Sequence, residues 1–242
     1  MLANSAWNDS KLWISHALVF FHCVVNVYPE SPTIQDKLHH LDFFNSLINV
    51  LPCKECRVYC KVWLKNNPLE RVLVSRTQFK IWMTNFHNYI HLCLNRPRLL
   101  QSCSEGDDII LKFAKRRRKF MGDYDPNMWR FTKIWGAHAW VFLHCIGNTF
   151  PSRSTAFQKE QYRAFFNALL YVLPCKLCQQ HYSQWIQAEP IHDAVSSSNT
   201  LKRWIFNLHN HVNMRLDKKL LPDICAAEEN IIKFALKSDP FV

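Results

Sequence analysis

FFNALLYVLPCKLC occupies residues 165–178, and FFNSLINVLPCKEC occupies residues 43–56. Each is an apolar stretch that runs into a proline and then a CxxC pair. Phe165, Leu169 and Val172 recur at helical spacing and share one face. Pro174 ends that helix and suits the start of the next, which places Cys175 and Cys178 in a first turn. Cysteines three apart there lie on one face, within disulfide reach. The orphan N–H groups of a helix start also stabilise a thiolate. This is a redox-competent arrangement, and equally half of a zinc site.

Working outward, the likeness extends far beyond the hexapeptide. A shift of 122 residues sets Trp7 on Trp129, Trp13 on Trp135, His16 on His138, and His22–Cys23 on His144–Cys145. It continues through Trp63 on Trp185, Trp82 on Trp204, His87–Asn88 on His209–Asn210, and Cys103 on Cys225. No gap is needed. The chain is a tandem duplication whose unit is too long for a solenoid repeat, so each copy is a small domain. KRRRKFMGDYDPN at 115–127 reads as a helix end and linker, dividing the chain into 1–114 and 128–242. The basic run Lys115–Lys119 reads first as a solvated helix terminus, and second as a nuclear-localisation or nucleic-acid patch. Period-2 patterns are absent, and the expected fold is all-α: two tandem bundles of four to five helices.

Composition narrows the function. The 242 residues carry a net charge of +11, compatible with an anionic cofactor, an acidic partner or nucleic acid. Only four glycines exist, Gly106, Gly122, Gly136 and Gly147, so no phosphate-cradling glycine loop can form. A nucleotide cofactor must therefore be held by helices. The start MLANSAWNDS shows no secretory pattern, and no apolar run is long enough to span a bilayer. A non-secreted chain with ten cysteines points to catalytic or metal-binding thiols.

In the second copy Trp140 and His144 are one turn apart, as are His209 and Asn213, with Asn210 alongside and Lys218 beyond. Flat rings, amides and a cation suit a planar aromatic ligand that carries phosphate. The ordered set GAHAWVFLH (136–144), Pro151, PCKLC (174–178) and WIFNLHNHVNMRLDK (204–218) resembles the Erv/ALR sulfhydryl oxidases over residues 129–236. Its tandem form is similar to the sulfhydryl oxidases of large insect DNA viruses, notably baculoviruses.

The resemblance implies a small helical bundle holding FAD without a glycine loop. It implies that Lys133, Gly136, Trp140, His144, Cys178, His209, Asn210, Asn213, Leu216 and Lys218 form the cofactor site. Trp140 and His144 would face the flavin end, and His209, Asn210, Asn213 and Lys218 the adenine and phosphate end. Cys175 would exchange with dithiol protein substrates. Cys178 would pass the electron pair through FAD to O2, releasing hydrogen peroxide. It also implies a homodimer, or an intramolecular pseudo-dimer of the two copies; the short apolar runs give no membrane partner, and nucleic acid is the less favoured partner of the basic chain. A viral chain of this kind would work in host cytoplasm, nucleus or virion. Two positions depart from the family: Ala137 replaces an arginine, whose charge Lys133 could supply, and Leu173 replaces a tyrosine.

The first copy keeps Cys53, Cys56, His22, His87 and Asn88, but Ile14 replaces Gly136, Leu18 replaces Trp140, His91 replaces Asn213 and Arg96 replaces Lys218. It is expected to bind FAD poorly or not at all, leaving Cys53–Cys56 as a second redox pair, relay or remnant. Cys23 and Cys145 read as buried small hydrophobes, while Cys103 and Cys225 are either shuttles or structural. Cys60 and Cys93 receive no role. Two rivals compete with the oxidase: a zinc module of Cys53, Cys56, Cys175 and Cys178, and a basic nucleic-acid-binding helical module without flavin.

Overall fold

The computed structural model describes residues 6–96, 99–117, 127–237 and 241, with the side chains of 115–117 outside the description. The charge of the run Lys115–Lys119 and most of the proposed linker therefore lie outside the described residues. Among the described residues every regular element is helical.

The first copy contains α1 (Ser10–Asn26), α2 (Ile34–Val50), α3 (Lys54–Asn66), α4 (Arg76–Cys93) and α5 (Cys103–Arg117). The second contains α6 (Thr132–Asn148), α7 (Ala156–Val172), α8 (Lys176–Ala188), the single turn α9 (Ile191–Ala194), α10 (Ser198–Arg215) and α11 (Ile224–Leu236). A 3₁₀ turn at Leu69–Arg71 stands where the second copy has α9. α1, α2, α3 and α4 begin and end at residues that match the bounds of α6, α7, α8 and α10 by the same displacement of 122.

Local chemistry repeats with the same period. Thr33 and Thr155 cap α2 and α7 as capping boxes, with Asp36 and Gln158 returning the bond. Ser75 and Ser197 cap α4 and α10. Asn95 and Asp217 take positive φ (52° and 50°) just beyond those two helices. There Arg96 N–H reaches the His91 carbonyl at 2.8 Å, and Lys218 N–H the Asn213 carbonyl at 2.9 Å, closing a left-handed helix stop.

The copies pack through α1 against α6 and α2 against α7. α1 is buried on nearly every side, which explains why its sequence lacks a polar face. The contacts are reciprocal. Phe20 meets Trp135 at 5.9 Å, and their counterparts Phe142 and Trp13 meet at 5.9 Å. His39 stacks on Tyr171, while their counterparts Gln161 and Asn49 share a 2.7 Å hydrogen bond. Residues that match each other meet on the axis: Phe43 with Phe165, and His16 with His138. This is an isologous interface within one polypeptide.

Candidate functional site

The second-copy cysteines open α8. Cys175 is its N-cap, one place ahead of the first turn expected from the sequence, because the chain stays extended through it (φ −111°, ψ 121°). Its sulfur accepts the Cys178 N–H at 3.2 Å, so a thiol takes the place a serine or aspartate oxygen usually fills. Gln179 fixes the approach by donating to the Tyr171 and Leu173 carbonyls. Cys175 and Cys178 are a half-buried dithiol. Burial, and then the neighbouring Cys175 sulfur, push the Cys178 thiol up.

The first-copy pair has the same backbone. Cys53 caps α3 and its sulfur accepts from the Cys56 N–H at 3.1 Å. This pair is buried and joined as a disulfide. The two CxxC pairs are not brought together, and no metal-holding group of His, Cys, Asp or Glu exists among the described residues.

α6 and α10 build the second constellation. His144 Nε2 and His209 Nδ1 lie 3.1 Å apart and share one proton. Burial lowers His144 to about 4, and burial, His144 and the Lys218 charge lower His209 to about 2, so both rings are neutral. Trp140 lies flat on His209, with centroids 4.0 Å apart and planes 10° from parallel. Both rings are half-buried. A Cβ placed on Gly136 would meet only Thr132, at an ordinary 3.6 Å, so protein packing does not require the glycine. A mid-helix glycine costs about 0.5–1 kcal/mol against alanine, which makes this open space the feature to explain. Asn213 is buried, while Lys133, Leu216 and Lys218 are exposed around it. Stacked rings, neutral imidazoles, a cation sensed at His209 and free space over Gly136 fit a flat aromatic group with a phosphate tail.

Asn210 is engaged with backbone. Its Nδ2 donates to the Leu221 carbonyl at 2.9 Å, and its Oδ1 accepts the Leu221 N–H at 2.8 Å. Asn88 holds Leu100 in the same two-bond clamp. An amide spent on backbone in both copies positions the loop after its helix. Sequence reading grouped Asn210 with its cofactor neighbours because spacing does not reveal a clamp to a loop eleven residues on.

The other cysteines separate clearly. Cys23 and Cys145 are fully buried, and burial raises both thiols well above their usual range. Cys103 receives the Thr84 hydroxyl at 3.2 Å, Cys225 is exposed, and the two are not bonded to each other. Cys60 lies one turn beyond Cys56 on α3; burial and then Cys93 raise its thiol. Its counterpart is Tyr182, so the repeat pattern gave no signal for it.

The Erv1 / Alr family matches over residues 15–117 and again over 137–231. The "Probable FAD-linked sulfhydryl oxidase R368" of Acanthamoeba polyphaga mimivirus is 36% identical over 107 residues, covering 43% of this chain and 75% of that protein. The FAD-linked sulfhydryl oxidase of African swine fever virus (isolate Tick/Malawi/Lil 20-1/1983) is 33% identical over 89 residues, 36% of this chain and 71% of that one. The mitochondrial FAD-linked sulfhydryl oxidase of Saccharomyces cerevisiae is 30% identical over 83 residues, 34% and 43% of the respective chains. No solved structure matches. Matched twice, across both copies of its repeat, the chain belongs to the Erv1 / Alr family.

Proposed function

We propose that this protein is an FAD-dependent sulfhydryl oxidase that forms disulfides in dithiol proteins, with residues 128–242 as the catalytic half and 1–114 as its degenerate partner. One observation carries the assignment. Two copies share a backbone, yet only the second presents a half-buried dithiol together with an open Trp140–His209 face and unfilled space at Gly136.

FAD, when bound, takes up the electron pair of a dithiol and returns it to dioxygen as hydrogen peroxide. Trp140, His144, His209, Asn213 and Lys218 would hold it, with Lys133 and Leu216 at the rim. Asn210 contributes by fixing the loop. The chain's own part is thiol exchange. A substrate thiolate attacks the oxidised pair at Cys175, forming a mixed disulfide and expelling Cys178 as thiolate. The second substrate thiolate attacks the substrate sulfur of that bond and expels Cys175. The substrate leaves oxidised by two electrons, and Cys175 and Cys178 are left as a dithiol.

The two copies face each other across an isologous interface, which supports reading the first as a built-in substitute for a dimer partner. Among the described residues no helix is long and apolar enough to cross a membrane. The similarity to viral oxidases supports a viral setting, with host cytoplasm, nucleus or virion as the places to look. The test is the visible spectrum of purified protein with and without dithiothreitol, beside oxygen uptake. A yellow protein that bleaches with dithiol and consumes oxygen supports the reading. A colourless protein with stoichiometric zinc, or one that binds DNA in a salt-dependent way without flavin, would replace it.

A further inference from the structure

The first copy keeps the framework of the cofactor cleft and fills it. His22 and His87 repeat the His144–His209 contact at 3.2 Å. Leu18 and Ile14 are buried where Trp140 and Gly136 are open. Arg96 turns inward, donating to Ser15 Oγ at 2.8 Å and to the Ser10 carbonyl at 3.3 Å.

The remaining face of the cleft is closed by a residue from the other copy. Phe241 lies five positions beyond the end of α11. Its ring centroid is 4.5 Å from His87, 6.1 Å from His91 and 6.4 Å from His22. It stands edge-on to His87 and His91, at 81° and 86°. Phe241 is 2% exposed, and His87 under it is 0% exposed. His87 Nε2 is buried without a hydrogen-bond partner. Its counterpart His209 is only half-buried. A buried polar nitrogen under a hydrocarbon ring is a costly pairing, and it marks a polar cradle occupied by an apolar guest.

We propose that the histidine-lined cradle of the first copy is an aromatic socket whose ligand is the chain's own Phe241. Phe241 thereby closes this copy to FAD and pins the second copy to the first. The statement about FAD rests on reading the second copy as the flavin site; the socket itself does not.

The experiment is histidine modification by diethylpyrocarbonate on the full chain, read by peptide mapping. In the wild type His87 and His91 stay unmodified. Phe241→Ala opens the socket and raises their modification about tenfold or more, as expected when a local opening replaces a closed state. Phe241→Trp keeps them protected. Loss of helical signal in Phe241→Ala would itself show that the ring pins the fold, and Phe241→Leu, which keeps volume without a ring, then reads the socket at partial protection. His87 and His91 as protected as wild type in a folded Phe241→Ala or Phe241→Leu chain would overturn the proposal. Flavin content is measured on the same samples. One flavin per chain is expected, and two would overturn the closure. No flavin, with the histidine pattern as expected, would remove the oxidase reading and leave the socket standing.

Discussion

His16 Nδ1 lies 2.8 Å from His138 Nδ1, and the two residues are the same position of the repeat. His16 Nε2 faces the Ala235 carbonyl at 3.2 Å, which requires a proton on Nε2. In the neutral ring Nδ1 is then an acceptor, and His138 donates to it. A pseudo-twofold axis passes between two chemically identical groups, and α11 breaks the symmetry by choosing which one donates. Phe113 and Phe234 cover the pair. Replacing either histidine by alanine removes this buried contact and is expected to cost about 1–3 kcal/mol. The double substitution should cost less than the sum of the singles, because each single already loses the contact that the two share. Urea midpoints of the four chains check this, and strict additivity would show that the contact carries no coupling.

The proposed flavin site should respond to the first copy's own residue. Trp140→Leu installs what position 18 holds, removing the ring stacked on His209. Loss of a stacked aromatic face is worth about 0.5–1.5 kcal/mol beyond its buried area, or about two- to tenfold in FAD affinity. Titrating apo-protein with FAD by fluorescence gives the number. An unchanged affinity would move the cofactor elsewhere.

The two CxxC pairs should part in activity. Cys178→Ser removes the sulfur held beside Cys175 and should abolish dithiothreitol-driven oxygen uptake while leaving the fold intact. Cys53→Ser opens a buried disulfide in the filled copy and should keep the rate within about twofold. If Cys53→Ser is as inactive as Cys178→Ser, the first pair is a relay in the electron path.

Much of this arrangement was legible in sequence, and the rest has a physical reason for being hidden. The displacement of 122 residues located four helix pairs to the residue, because caps such as Thr33/Thr155 and Ser75/Ser197 are part of the repeat. Trp140 against Leu18 marked the difference between the copies, and the open and filled clefts follow it. Cys175 as N-cap was one position off, since proline fixes its own φ but not the residue where helical geometry begins. The Asn210 clamp and the Phe241 contact are tertiary, made to a loop and to another copy's cleft. No periodicity encodes them. His16 and His138 aligned in the sequence, but only the twofold packing puts equivalent residues in contact.

Acid should weaken the fold through its buried histidines. Burial lowers His144 from 6.5 to about 4, and burial with the Lys80 charge lowers His22 from 6.5 to about 3. Below pH 6.5 the unfolded chain takes up protons that the folded chain refuses, so the unfolded state binds more protons and stability rises with pH. This contribution is complete above 6.5 and is lost as pH falls toward 4. The melting temperature should be flat at neutral pH and drop on acidification, with His144→Gln flattening part of the slope. A melting temperature that rises between pH 6.5 and pH 4 would contradict the neutral His pair.

The first copy should also matter next to the reactive dithiol. His39 stacks on Tyr171 with centroids 3.7 Å apart and planes at 8°, and Gln179, one turn after Cys175, holds the Tyr171 carbonyl. The Lys176 charge is felt at His39 and Asp36, which places the start of α2 beside the CxxC of the other copy. A parallel aromatic pair of this kind contributes about 0.5–1.5 kcal/mol beyond its buried area. A double-mutant cycle of His39→Ala and Tyr171→Ala should recover coupling of that size in urea unfolding. His39→Ala should leave oxygen uptake with dithiothreitol unchanged, because a small dithiol needs only the sulfurs. With a reduced protein as substrate, KM should rise while kcat holds, as expected of a large substrate that reaches past the CxxC onto α2. Equal effects on both substrates would make His39 a purely structural contact.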